Sequence, residues 1–250
     1  VKLASGMNGS PTVANVDQFG FSVTSLGDLD GDGVNDLAVG AAHDSTQGTS
    51  RGAVYVLFLN ANATVKSSVK LASGLNGGPV LANGDVFGWD LTSLGDLDGD
   101  GVTDLAVGAR DDDTNGTDRG AVHVLLLNSS GTVKNSVKLA SGTNGVPTLQ
   151  DGDLFGGAVA AIGDLDGDGV TDLAVGAYDD DTGGSNRGAV YLLLLKSDGT
   201  VKSSVKLSSG ANGVPTLANG DRLGSSVTSL GDLDGDGVTA VGINTPSKVV

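Results

Sequence analysis

The chain has 250 residues, of which 42 are glycine and none is cysteine, and its 30 acidic residues face only 14 Lys and Arg. A formal charge of −16 excludes a nucleic-acid role and docking on anionic membranes, both of which need a basic footprint. Every acidic residue is Asp, and Val, Thr, Gly and Asn are plentiful, so the composition predicts strands and tight turns with helix content close to nil.

In chain order, the first strand is predicted over Phe21–Leu26, leading into an acidic loop. A second follows at Leu37–Gly40. The third, Ala53–Leu59, is apolar at alternate and intervening positions alike and belongs inside a sheet covered on both faces. The fourth, Thr64–Leu71, mixes lysines with apolar residues and suits a wet outer edge. The series then repeats. Asp28, Asp96, Asp164 and Asp232 each open the string Asp-Leu-Asp-Gly-Asp-Gly-Val, with a constant step of 68 residues. Val1-Lys2-Leu3, Asn8, Asp17 and Phe19-Gly20 recur in the same register. A single domain over 1–250 is expected, in units 1–68, 69–136, 137–204 and a shortened 205–250. Four strands per unit joined by Gly-, Asn- and Asp-rich loops describe one propeller blade.

The acidic loop carries the chemistry. Asp28, Asp30, Asp32 and Asp36 stand at positions 1, 3, 5 and 9, where a tightly turning chain aims alternate carboxylates at one point. Gly31 and Gly33 permit the turn, and the Val34 carbonyl is placed to add an oxygen. Six to eight hard oxygen ligands suit Ca²⁺; Mg²⁺ would keep more water, and softer metals would want His or Cys. The second and third copies are complete: Asp96, Asp98, Asp100, Val102 and Asp104, then Asp164, Asp166, Asp168, Val170 and Asp172. The fourth keeps Asp232, Asp234, Asp236 and Val238 but lacks the Asp-Leu pair, with Ala240 at position 9, so a weaker or partial site is expected. An EF-hand does not fit, because position 12 is Val39 and strands flank the loop.

The run from Phe-Gly through Asp-x-Asp-x-Asp-Gly-x-x-Asp-Leu-Ala-Val-Gly-Ala to Gly-Ala-Val-Tyr-Val resembles the FG-GAP repeat of the integrin α-subunit propeller and its prokaryotic relatives. The resemblance covers essentially the whole chain. It implies one blade per repeat, Ca²⁺ held between the first two strands by the four Asp residues and the Val carbonyl, and an extracellular or cell-surface role in adhesion or structure. Integrin-type propellers have seven blades, whereas fewer than four repeats are present here.

Outside the loops, Arg51, Arg119 and Arg187 are expected to pair with Asp44, Asp112 and Asp180 across the loop joining strands two and three. Asp111–Asp113 and Asp179–Asp181 read as exposed loops. His43 and His123 form no site, and with two unrelated His and no Cys no nucleophilic triad can be assembled, so the chain is read as no enzyme. The expected fold is therefore an all-β propeller of about four blades. Its last blade is completed by terminal strands, either its own Val1–Leu3 and Ser247–Val250 or a neighbour's. Strand complementation by a neighbour would make the chain a self-associating filament or surface-layer subunit. The alternatives are a monomeric adhesion module that binds an extracellular protein or glycan, and half of a two-chain seven-bladed ring. No membrane insertion is expected.

Overall fold

The computed structural model describes residues 1–246 and holds four antiparallel sheets in a row, with no helix among them. The first is β1 (Val23–Gly27), β2 (Asp36–Ala41), β3 (Ala53–Leu59) and β4 (Val65–Leu71), hydrogen-bonded in that order. The second is β5 (Leu91–Gly95), β6 (Asp104–Ala109), β7 (Ala121–Leu127) and β8 (Val133–Ala140). The third is β9 (Ala158–Ala161), β10 (Leu173–Ala177), β11 (Ala189–Leu195) and β12 (Val201–Ser208). The fourth pairs β13 (Val227–Gly231) with β14 (Ala240–Ile243). These are three complete propeller blades and the inner half of another. Every residue of β3 and β7 is buried, as expected of strands covered on both faces. In β4 the ends Val65 and Leu71 are buried, Lys66, Ser67 and Ser68 are exposed, and Val69 and Lys70 are half-buried, a wetter strand than β3.

Blades join through one repeated seam. The loop before the third strand of one blade lends three carbonyls to the connection entering the next: Gly84, Val86 and Phe87 N–H donate to Thr49, Ser50 and Arg51, at 3.0, 3.2 and 3.0 Å. The same triplet recurs at Gly152, Leu154 and Phe155 and at Gly220, Arg222 and Leu223. Gly40 sits where the next blade comes closest, and a Cβ there would overlap the Gly88 carbonyl and the Ser22 hydroxyl. Gly108 and Gly176 meet Gly156 and Gly224 in the same way. The Arg residues belong to this seam, which corrects the expected Arg–Asp pairing. Arg51 Nε donates to Asn83 at 2.8 Å, Arg119 to Asp151 at 2.7 Å and Arg187 to Asn219 at 3.0 Å, each on the following connection.

The inner strands pack in series, β1 on β5, β5 on β9 and β9 on β13, and the arc stays open. Val1–Leu3 lies beside the first blade, where Asn8 Nδ2 donates to the Lys2 carbonyl at 2.8 Å and Leu3 packs near Val13 and Phe19. It therefore does not complete the fourth sheet, and Ser247–Val250 lies outside the described residues. The pairing of Gly231 with Ala240 matches that of Gly27 with Asp36, so the Asp-Leu pair is substituted by Ala240-Val241 rather than deleted. Asn244 then takes the place of Gly40, and its N–H and carbonyl make the same bonds to Ser226 and Gly224.

Within each complete blade the Phe of Phe-Gly stacks edge-on against the centre of the third strand: Phe19 on Tyr55, Phe87 on His123 and Phe155 on Tyr191, at 5.4–5.6 Å. The two tyrosines also donate to buried carboxylates, Tyr55 to Asp44 at 3.1 Å and Tyr191 to Asp180 at 3.3 Å. His123 is fully enclosed, and neither ring nitrogen has a hydrogen-bond partner. Burial holds its imidazole well below the usual range, at about 3, so it is neutral. A neutral imidazole still carries one N–H, and an unsatisfied buried donor costs about 1–3 kcal/mol. His123→Tyr supplies the reach its two counterparts have and is expected to stabilise the fold by about 1 kcal/mol, raising the melting temperature by roughly 2–4 °C. A melting curve unchanged or lowered by the substitution would contradict this account.

Candidate metal centre

Each acidic loop is built as a closed turn by its own first aspartate. Asp28 accepts from the N–H groups of Asp32 and Gly33 at 2.9 and 2.8 Å, and Asp32 accepts from Val34 at 2.9 Å. Asp96 and Asp100 repeat these bonds in the second loop. Asp164 and Asp168 do so in the third, and Asp232 and Asp236 hold Gly237 and Val238 in the fourth. The chain can fold back so sharply because Gly31 and Gly33 take φ of 78° and 87°, with matching values at their equivalents.

The position-9 carboxylates behave differently. Asp36, Asp104 and Asp172 have no exposed surface, and each bridges two backbone donors. Asp36 accepts from Leu29 at 3.0 Å and from Leu59 at 2.9 Å, tying the turn to the end of β3. Asp104 joins Leu97 to Leu127, and Asp172 joins Leu165 to Leu195. Ala240 makes no such bridge, and the fourth blade has no third strand among the described residues to tie.

Carboxylate oxygens converge in sets of three within 4.8 Å: Asp28, Asp30 and Asp32; Asp96, Asp98 and Asp104; Asp164, Asp166 and Asp172; Asp232, Asp234 and Asp236. Positions 5 and 9 thus alternate as the third member of the tightest set. The donors are all hard oxygens, the kind a cation such as Ca²⁺ prefers, and Asp98 Oδ1 is buried with no hydrogen-bond partner. Val34, Val102 and Val170 anchor their turns on the core beneath them, whereas Val238 is 47% exposed.

A lysine meets each complete turn. Lys66 reaches from β4 to Asp30 at 2.6 Å and also bonds Asp32; Lys134 reaches from β8 to Asp98 at 2.7 Å and also bonds Asp100. Lys202 spans Asp166 and Asp168 at 2.5 and 2.6 Å. The lysine bond, followed by the Val N–H, holds Asp32, Asp100 and Asp168 below the usual carboxylate range. Burial acts the other way at position 9, raising Asp36 and Asp172 and pushing Asp104 up to about 6. These lysines were missed from the sequence, although their 68-residue period beside the loops was a usable signal.

The FG-GAP repeat family matches at residues 19–57, 87–125 and 155–193, one match for each complete blade. The chain is an FG-GAP repeat protein. It is similar to integrin alpha-IIb of Homo sapiens, 36% identical over 194 residues, which is 76% of this chain and 17% of the relative. Integrin alpha-PS2 of Drosophila melanogaster is 33% identical over 170 residues, covering 65% of the chain and 12% of the relative. Integrin alpha pat-2 of Caenorhabditis elegans is 29% identical over 240 residues, or 91% of the chain and 18% of the relative. The chain therefore spans less than a fifth of the relatives it matches. Integrin-like FG-GAP proteins are extracellular or cell-surface, and no helix among the described residues is long and apolar enough to cross a membrane.

At the opposite end of the FG-GAP blade lies a second charged cluster, in which Asp112 and Asp180 are buried although Asp111–Asp113 and Asp179–Asp181 are expected as exposed loops. Asp44, Asp112 and Asp180 are 1% exposed, capped by Lys70, Lys138 and Lys206 and by the N–H groups of Thr46, Thr114 and Thr182. Beside the second and third of these, burial pushes Asp85 and Asp153 up to about 6, against the Ala82 and Gln150 N–H bonds that favour the ionised form. A carboxylate whose folded pKa exceeds its unfolded value near 3.9 binds protons more tightly when folded. Its contribution to stability is present below about pH 4 and is lost as the pH rises through 6. In EGTA, stability should therefore rise as the pH falls from 7 to 5. The double variant Asp85→Asn, Asp153→Asn should show a shallower rise in chemical denaturation, and an identical slope would exclude these two groups as its source.

Proposed function

We propose that this chain is an extracellular, Ca²⁺-stabilised propeller module of the adhesion type, non-catalytic, whose loops are free to bind a protein or glycan. The observation that carries the reading is the convergence of oxygen donors in successive turns, with Asp98 Oδ1 left unpaired. Ca²⁺ would be held by the carboxylates of positions 1, 3, 5 and 9 and the position-7 Val carbonyl in the first three turns. In the fourth, Asp232, Asp234, Asp236 and Val238 would form a weaker site. A bound ion supplies two positive charges where four carboxylates otherwise repel one another. Extracellular sites of this kind bind at roughly 10⁻⁴–10⁻³ M. At about 1 mM calcium a site at the tight end contributes about 1.4 kcal/mol, and three contribute about 4 kcal/mol. That is a large share of a typical stability of about 5–15 kcal/mol.

A second reading, end-to-end association, is favoured by the exposed ends of the arc. Val23 is 54% exposed where its counterparts Leu91 and Val159 are 5% and 4%. Leu230 and Leu233 are 48% and 69% exposed where Leu26 and Leu29 are 1% and 6%. A second copy could not extend the arc through the internal seam, because Asn244 carries a side chain where Gly40 tolerates none. Addition of a strand to the edge of β14 that is unpaired among the described residues avoids that clash.

Thermal melts and multi-angle scattering in calcium and in excess EGTA test both readings. A melting temperature raised several degrees by calcium, with a compact monomer at all concentrations, is the expected result and rejects association. Filaments or a closed two-chain particle would replace the monomeric module with an assembly. No response to calcium would reject the metal reading.

A further inference from the structure

The lysine at each complete turn is placed to do more than balance charge. Lys66, Lys134 and Lys202 project from the outer strand of their own blade, and each ammonium bridges one oxygen of the position-3 carboxylate to one of position 5. Those are two of the four carboxylates that the calcium reading requires. Their side chains are 36%, 26% and 40% exposed, so the ammonium can swing into water without breaking the strand. Among the described residues, Asp232, Asp234 and Asp236 in the fourth turn have no lysine partner.

Resting on the calcium reading, we propose that Lys66, Lys134 and Lys202 are tethered counter-ions that compete with the divalent cation for the carboxylates of positions 3 and 5. Without calcium the ammonium neutralises part of the repulsion and keeps the turn folded. When calcium enters, it must displace the lysine or share the carboxylates with a positive charge a few ångströms away. Either route weakens binding and sets it lower than the four carboxylates alone would give. The alternative role, a clamp that orients the carboxylates for the ion, predicts the opposite sign. At about 5 Å, a doubly charged ion and an ammonium repel by enough, even in water, to change affinity roughly ten-fold. A carboxylate pair already closed into a turn by Asp28 and Asp32 has little orientation left to gain.

The test uses the whole chain carrying Lys66→Met, Lys134→Met and Lys202→Met together, titrated with calcium by isothermal calorimetry and melted in EGTA. Competition predicts calcium binding roughly ten-fold tighter than in the parent chain, together with a lower melting temperature in EGTA. Lys134→Gln alone should show the same direction at one site if the triple variant does not fold, and Lys→Arg at all three should stay close to the parent. Unchanged or weaker calcium binding by a folded variant overturns the proposal. Absence of calcium binding by the parent chain overturns instead the reading on which it rests.

Discussion

One buried carboxylate in each complete blade connects the fold to the acidic turn. Asp36 holds the acidic turn through Leu29 and the end of the third strand through Leu59, so the turn cannot move without the sheet. Its repeat-mates Asp104 and Asp172 do the same with bonds of nearly equal length. A fully buried carboxylate survives only when its charge is met by donors or by a cation, and here two backbone N–H groups meet it. Two N–H groups occupy one lone pair of each Asp36 oxygen, and one oxygen of Asp104 and of Asp172 also lies within 4.8 Å of the position-1 and position-3 oxygens of its loop. The third strand also shifts register beside this bond, between Phe58 and Leu59, which brings the Leu59 N–H to the carboxylate instead of to the outer strand.

The seam between blades depends on missing atoms in the same degree as on bonds. Gly40 in one blade and Gly88 in the next approach so closely that neither could carry a Cβ: one would strike a carbonyl of the next blade, the other the Ala53 carbonyl of the blade before. The carbonyl triplet around Arg51 then fixes the next connection in place, and the guanidinium adds its bond to Asn83. Identical seams at identical spacing give identical steps, and a constant step between twisted sheets generates a propeller arc. Asn244 at the fourth unit breaks this rule, and with Ala240 it marks the place where the repeat stops following its own pattern.

Much of this was legible in the sequence because a 68-residue period tests each assignment three or four times. The third strand, Ala53–Leu59, was read to the residue, and the others to within two. The four acidic turns were found in place between the first and second strands of their blades. What the period could not reveal was the partner of each repeated charge. Arg51 and Asp44 recur together whether or not they touch; Arg51 in fact reaches forward to the next blade, while Asp44 takes Lys70 from its own outer strand. Lys66 and Lys70 stand on the same outer strand, one serving each end of the blade. Only pairing in three dimensions separates those duties.

The complete absence of glutamate follows from the same geometry. In this chain aspartate is first a turn-former. Asp32 accepts from the N–H two residues on, as do Asp44 and Asp198, and Asp28 closes on residues four and five ahead. Such local bonds need a carboxylate one carbon from the backbone; an extra methylene would carry the oxygens past the donors they cap. Once the turn is closed, the remaining lone pairs are gathered at one point, where lysine or a divalent cation can meet them. The net charge of −16 is thus chiefly the sum of carboxylates committed to turns, in which folding of the backbone and affinity for cations are properties of the same oxygens.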